Sequence, residues 1–365
     1  MKIALVYDRV NKFGGAERVL LTLHKIFPEA PLFTLVYDKK STPWADGFRV
    51  IPTFLNTISF LRNKHEWLSP LAPMAFESLD LRDYDVIISI TSSDAKSVIT
   101  NPRQLHICYC LTPTRYFWSG EEEYKTDKKF KLIPKWLGKY FRTTDLLISK
   151  RPDKYIAISN EVKARIEKYY HRESSVIYPS IDDKFYTKNL ISADERKNYL
   201  IVSRLVPYKK VDLAIRAFNQ LNKSLIVVGT GSEMNKLKKL AGKTIKFIGT
   251  VNDAELIKFY RHSKAVIFPQ VEDYGLVPIE AQACGTPVIA LEKGGAVETV
   301  IKNKTGVFFC EQTITSLIDA INRFEKLVIS PKDCQENSYR FNETSFKKNL
   351  TDYLAHTTTK IFSAN

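Results

Sequence analysis

Cysteine is sparse and unpatterned. The five residues Cys108, Cys110, Cys284, Cys310 and Cys334 are odd in number, with no C-x-x-C pair and no histidine at zinc spacing. That argues against a disulfide framework and a structural zinc site, leaving buried thiols in a reducing cytosol as the expectation. Glycine (14) and proline (16) are thinly spread, and no low-complexity tail stands out. No run of about 18 consecutive apolar residues occurs, so no membrane-spanning helix is expected. The opening MKIALVYDRV has too short an apolar core for a signal peptide and reads as a strand. Negative charge is in deficit too: 40 Asp and Glu stand against 55 Lys and Arg, a net +15. Such a surface attracts nucleic acid, anionic lipid headgroups or phosphorylated substrates, and charge alone does not choose among them.

What is present is a regular alternation. A chain of 365 residues suggests about two domains. Continuous Val/Ile/Leu runs at 3–7, 32–36, 86–90, 105–110, 155–158 and 176–178 suit strands buried on both faces of a parallel sheet. Helices are predicted at 16–26 and 161–169 between them. The pattern weakens over 179–197, which reads as a linker, and then restarts. Strands at 199–203, 225–228, 245–248, 265–268 and 288–291 alternate with helices at 211–220, 233–240, 254–260 and 276–283. The expected class is α/β: two doubly wound Rossmann-like domains of parallel sheet, with ligands at strand carboxyl ends in a cleft between them.

Three loops carry candidate chemistry. Gly14 and Gly15 follow the first strand and open a helix, where close backbone approach and a helix N-terminus favour an anion; a plain tight turn looks the same. Arg204 and Lys209 share the loop S-R-L-V-P-Y-K-K after a strand. A guanidinium fork with a mobile ammonium suits a diphosphate, and two solvated surface cations would read alike. Glu272 and Glu280 bracket E-D-Y-G-L-V-P-I-E, seven residues apart, with the amides of Gly275, Leu276 and Val277 at a helix start. One carboxylate could accept from sugar hydroxyls and the other from ribose. The plain alternative, a loop acid and a surface helix acid, leaves a Glu within an apolar helix unexplained.

These elements in this order resemble glycosyltransferase family 4, retaining enzymes of GT-B fold. The resemblance covers nearly the whole chain, through G-G-A-E-R-V, V-S-R-L-V-P-Y-K-K-V-D, V-G-T-G-S-E, the E-x7-E segment and A-C-G-T-P-V-I-A…G-G-A-V-E-T-V. The segment C-Y-C-L-T-P-T-R-Y-F-W at 108–118 further resembles bacterial O-antigen and exopolysaccharide mannosyltransferases. The resemblance implies an acceptor-binding domain at 1–180, with a helix at about 344–365 packing back on it, and a nucleotide-sugar domain at 181–343. It implies Arg204, Lys209 and Glu272 as catalytic, Gly14, Gly15, Gly275, Leu276, Val277 and Glu280 as donor-binding, and Thr250 and Val251 as a base-contacting loop. Many relatives carry His where this chain has Leu111, so either another group on that wall, such as Asp94, Thr112 or Arg115, takes over the contact or the contact is dispensable here. His106 nearby reads as a packed core imidazole.

The partners so implied are a nucleotide sugar, GDP-mannose favoured over a UDP-sugar, and a lipid-linked saccharide acceptor in surface polysaccharide synthesis. No cofactor and no metal are expected, since Asp83 and Asp85 of D-Y-D read as a turn entering a strand. Gly229-Thr-Gly231 lacks the third glycine of a dinucleotide fingerprint, which argues against hydride chemistry. The segment 125–142 holds seven Lys or Arg, with Phe130, Ile133, Leu137, Tyr140 and Phe141 at helical spacing. It suits an anionic bilayer, with 54–67 as a second stretch mixing basic and aromatic residues, or equally a helix packed on its own domain. The expected location is the cytoplasmic face of the membrane, peripherally bound. A non-catalytic nucleic-acid binder is the competing class, and it lacks any RNP-type or zinc motif.

Overall fold

The computed structural model describes residues 1–58, 62, 70–115, 117, 118 and 135–362. They form two compact units: Met1–Pro179 with Phe346–Asn365, and Ser180–Ser345. The first contains β1 (Ile3–Tyr7), β2 (Leu32–Thr34), β3 (Val50–Pro52), β4 (Val86–Thr91), β5 (Leu105–Cys110), β6 (Lys154–Ala157) and β7 (Ser175–Val176). The second contains β8 (Asn198–Val202), β9 (Leu225–Val228), β10 (Ile245–Gly249), β11 (Ser263–Phe268), β12 (Val288–Leu291) and β13 (Gly306–Phe309). The sheet orders are β3-β2-β1-β4-β5-β6-β7 and β10-β9-β8-β11-β12-β13, and every described pairing is parallel.

The two architectures are thus both doubly wound. β4, β5 and β12 are buried at every position, which is why their sequences run apolar without alternation. In the first unit Ala4, Val6, Phe33, Phe76 and Ile87 share one core; in the second Ile201, Phe218, Val227, Ile267 and Ile289 share another. β3 and β13, at one edge of each sheet, were not among the predicted strands. β3 is only three residues and ends in Pro52, and β13, though as long as β9 and β12, opens on Gly306 directly after the polar turn K-N-K-T.

The polar stretch 179–197 is no free linker. Ile181 and Phe185 lie in the second unit's interior, and the Arg196 guanidinium is buried on Ser263 O, Thr286 Oγ1 and Ile191 O. One cysteine also departs from expectation. Cys108, Cys110, Cys284 and Cys334 are buried, whereas Cys310, one residue past β13, is exposed.

Of the basic segment 125–142, residues 125–134 lie outside the described residues, and so does Trp67 of 54–67. The described part belongs to the helix Lys135–Ile148. Phe141 stacks on Phe117 at 5.7 Å and Arg142 Nε donates to Phe117 O at 2.8 Å, so this face packs on its own unit. Tyr140 is exposed. Among the described residues, no helix is long and apolar enough to cross a membrane.

Candidate active site

The second sheet places its chemistry by topology. From β8 the chain winds outward through β9 and β10, and from β11 it winds the other way through β12 and β13. Loops leaving the carboxyl ends of β8 and β11 therefore diverge around a crevice, the usual ligand position in such sheets. The loop after β8 carries Arg204 and Lys209; the loop after β11 carries Glu272. Lys209 Nζ donates to Glu272 Oε1, and the two side chains are only 13% and 17% exposed.

Arg204 does not join them. Its guanidinium is exposed and donates through Nη2 to the Tyr208 hydroxyl at 2.6 Å. The Lys209 ammonium lies 5.0 Å from the centroid of the same ring. Tyr208 thus touches both cations, a role its place among V-P-Y-K-K did not announce.

Glycines let these loops lie backbone against backbone. A Cβ at Gly229 (φ +127°) would sit 1.9 Å from Ser203 O, and one at Gly231 would sit 2.3 Å from Leu205 O. Across the sheet, a Cβ at Gly294 would sit 2.4 Å from Glu272 O, and one at Gly295 would sit 2.2 Å from Tyr274 O. Gly295 N also donates to Glu272 O at 2.9 Å. The glycines of V-G-T-G and G-G-A-V-E-T thus seat the loops that bear Arg204 and Glu272. This packing accounts for Gly229 and Gly231 without any dinucleotide.

Gly275 (φ +92°) is the N-cap of the helix Leu276–Ala283, in a left-handed conformation that other residues adopt only with strain. Leu276 and Val277 occupy its first turn, where backbone N–H groups have no intrahelical partner and the helix dipole favours an anion. Glu280 lies one turn on. It is buried rather than a surface acid, and its Oε2 accepts from the Tyr260 hydroxyl at 2.9 Å. Tyr260 comes from the helix Asp253–His262, whose capping box (Asn252, Glu255) follows directly on Thr250 and Val251 at the end of β10. Burial, then the charge of Glu280, pushes the Cys284 thiol up, so it stays protonated.

The first sheet has its own reversal, between β1 and β4. There Asp8 accepts from Thr91 Oγ1 (2.6 Å) and from the amides of Ser92 (2.8 Å), Asp94 (3.1 Å) and Ala95 (2.9 Å), which fixes the loop after β4. Gly14 is the extended N-cap of the helix Gly15–Ile26. A Cβ there would meet Glu17 Oε2 at 3.3 Å, and Glu17 is buried on the Tyr7 hydroxyl at 2.5 Å.

Asp94 is half-buried, and burial raises its carboxyl to about 6 despite the opposing pull of Lys96. Lys96 is itself buried and paired with Asp145 at 2.7 Å. Asp145 accepts also from Thr114 Oγ1 (2.9 Å), Trp118 Nε1 (2.7 Å) and the Tyr170 hydroxyl (2.9 Å). That hub holds the loop bearing Thr112 and Arg115. Thr112 is buried, and its hydroxyl accepts from Arg165 Nη1 at 3.5 Å; Leu111 and Arg115 are half-buried. His106 is a core residue bonded to Ser89 Oγ at 2.9 Å, and burial lowers it to about 3, so it is neutral.

Residues 180–341, almost all of the second unit, match the family model "Glycosyl transferases group 1". Among curated proteins, the chain is 30% identical over 193 residues to the Mycobacterium tuberculosis "GDP-mannose-dependent alpha-(1-6)-phosphatidylinositol monomannoside mannosyltransferase", covering 45% of this chain and 50% of that one. It is 27% identical over 224 residues to the Thermosipho melanesiensis "Probable sucrose-phosphate synthase", covering 54% and 50%. The chain thus spans about half the length of the curated relatives it matches. Among solved structures, sucrose-phosphate synthase from Thermosynechococcus elongatus aligns over 100% of both chains with TM-score 0.76 at 19% identity. The Anabaena HepE complex with UDP aligns over 98% of this chain and 100% of that one, with TM-score 0.72 at 20% identity. At such identities the likeness is one of fold, and that fold is GT-B.

Proposed function

We propose that this protein is a retaining glycosyltransferase that moves mannose from GDP-mannose to a lipid-linked saccharide at the cytoplasmic membrane surface, in bacterial surface polysaccharide synthesis. The observation that carries the reading is the meeting of Lys209 and Glu272 where the loops after β8 and β11 diverge, beside the helix start at Gly275. The named mannosyltransferase relative supports the donor choice.

In this reading the second unit, Ser180–Ser345, holds the nucleotide sugar, and the first, Met1–Pro179 with Phe346–Asn365, receives the acceptor. The bond from the anomeric carbon to the diphosphate oxygen breaks while the acceptor oxygen bonds to that carbon on the same face. The acceptor proton passes to the departing phosphate oxygen. Charge growing on the diphosphate is stabilised by Arg204, Lys209 and the amides of Gly275, Leu276 and Val277, a fixed electrostatic environment of the kind that dominates such catalysis. Glu272 accepts from hydroxyls of the transferred sugar and Glu280 from the ribose. Backbone at Thr250 and Val251 contacts the base. Gly14 and Gly15 present backbone to an anion, and Asp94, Thr112 and Arg115 form the acceptor wall in place of the histidine absent at Leu111.

A second reading takes a UDP-sugar as donor, and the structural likeness to the HepE complex with UDP favours it. Thermal shift with GDP, UDP and ADP, followed by assay of nucleoside diphosphate release from the corresponding mannose and glucose donors, tests both. GDP stabilisation with GDP release is the expected result. A shift with UDP alone would select the second reading, and no release from any donor would overturn both.

A further inference from the structure

We propose that Tyr260 is a positioning residue for nucleotide binding, its hydroxyl orienting the Glu280 carboxylate toward the ribose diol of the donor. The inference rests on the reading of Glu280 as the ribose contact, and it names what holds that contact in place.

Burying a phenol where phenylalanine would fit costs free energy unless the hydroxyl is bonded. Tyr260 is fully buried, and its hydroxyl meets Glu280 Oε2 at 2.9 Å. Glu280 has the complementary problem. It is 4% exposed on the helix L-V-P-I-E-A-Q-A, where an ionised carboxylate must be compensated by donors. A hydroxyl bonded to a carboxylate is among the stronger and more directional hydrogen bonds. Each residue accounts for the other's presence in the core.

The phenol is itself held. Its ring packs edge-on against Phe185 with centroids 6.2 Å apart, and its main-chain carbonyl accepts from Thr286 Oγ1 at 2.6 Å. Phe185, also fully buried, has a carbonyl that accepts from Cys284 Sγ at 3.3 Å, on the residue closing the Glu280 helix. The stretch 180–197 thus buttresses the tyrosine. The Tyr260 helix starts immediately after Thr250 and Val251, fixed by its capping box. One rigid helix therefore carries the base loop at its start and the Glu280 anchor near its end. A carboxylate whose plane is set in this way is held in a constant attitude, which a vicinal diol needs to be bound through two hydroxyls.

The test measures affinities of the full-length protein by calorimetry for GDP and 2′,3′-dideoxy-GDP, and for UDP and its dideoxy form. The proteins are wild type, Tyr260→Phe, Tyr260→His and Glu280→Gln. Wild type should prefer the ribose form roughly ten-fold or more, the value of a hydrogen bond to a charged group. Tyr260→Phe should weaken binding of the ribose form and leave the dideoxy form unchanged, so that the preference collapses. Tyr260→His, which keeps a donor, should recover part of it and covers the case in which the phenylalanine variant does not fold. A purely structural role would weaken both ligand forms alike. If Glu280→Gln keeps the full preference, the ribose reading of Glu280 is wrong and this inference falls with it. If Glu280→Gln loses the preference while Tyr260→Phe retains it, only the positioning role is overturned. No binding of either ribose nucleotide by wild type would overturn both.

Discussion

Lys209 and Glu272 neutralise one another across the carboxyl ends of β8 and β11, although the proposed chemistry assigns them to different parts of the donor. The pair joins two loops 63 positions apart in sequence. A diphosphate arriving there competes with Glu272 for the ammonium, and the carboxylate so relieved becomes available to sugar hydroxyls. Lys209→Ala and Arg204→Ala should each lower turnover by on the order of 10²–10³-fold, with melting temperatures much less affected. Nucleotide release and a thermal melt on the same preparations check this. Near-normal rates in both variants would remove the leaving-group assignment.

The two glycines Gly229 and Gly249 separate backbone strain from steric collision. Both have positive φ, +127° and +85°, but a Cβ at Gly249 meets nothing within 4 Å, whereas one at Gly229 collides with Ser203 O. Gly249→Ala should therefore cost only the conformational penalty, about 1–3 kcal/mol. Gly229→Ala should cost clearly more, and it should also displace the Arg204 loop and depress activity. Denaturant melts of the two variants decide it, and equal losses would contradict the packing described here.

Asp94 supplies a pH test. Its carboxyl is raised to about 6 in the folded chain, against about 3.9 for an unfolded aspartate. Between those values the folded state binds more protons than the unfolded one, so this group's contribution falls as pH rises from about 4 to 6 and stays low above. Asp94→Asn removes the effect. The variant should gain melting temperature over wild type at pH 7.5, with the gain shrinking toward pH 4. A constant difference across that range would mean that Asp94 ionises normally.

Turnover should survive EDTA. Asp83 and Asp85 are exposed at the amino end of β4, where Lys2 N donates to Asp85 Oδ2 at 2.7 Å, at the opposite end of that strand from Asp94. Loss of activity on chelation, restored by a divalent metal, would overturn the metal-independent assignment.

Membrane docking through 125–142 should appear as co-sedimentation with anionic vesicles that weakens with salt. Lys139 is exposed, whereas Arg142 is engaged with Phe117, so the lysines and not Arg142 are the groups to change. At about 1 kcal/mol per cation near the surface, replacing four of the lysines with Glu should abolish sedimentation. Equal binding to neutral vesicles, or none to either kind, would remove the membrane assignment.

Much of this was legible in the sequence, for identifiable reasons. Strands buried on both faces must be continuously apolar, so β1, β4, β5, β9 and β12 announce themselves, whereas three-residue β3 does not. Arg204, Lys209, Glu272 and Gly275 lie on loops just after strands, and the alternation of elements places such loops at one edge. Partnership was the hidden part. Gly294 touches Glu272, Gly229 touches Ser203, and Asp145 gathers Lys96, Thr114, Trp118 and Tyr170 from three segments. No local pattern encodes which distant backbone a glycine must admit. Tyr260 was equally opaque, since at a buried helical position a tyrosine reads as any other aromatic until its hydroxyl partner is known.

The uneven burial of the five thiols makes this chain a ready spectroscopic reagent. Four are enclosed, and only Cys310 is exposed, at the carboxyl end of β13, the edge strand two places from β11. A maleimide dye applied to the unaltered protein would attach at one defined position, with no cysteine-free background to engineer. Unfolding of the second unit could then be followed by emission in real time.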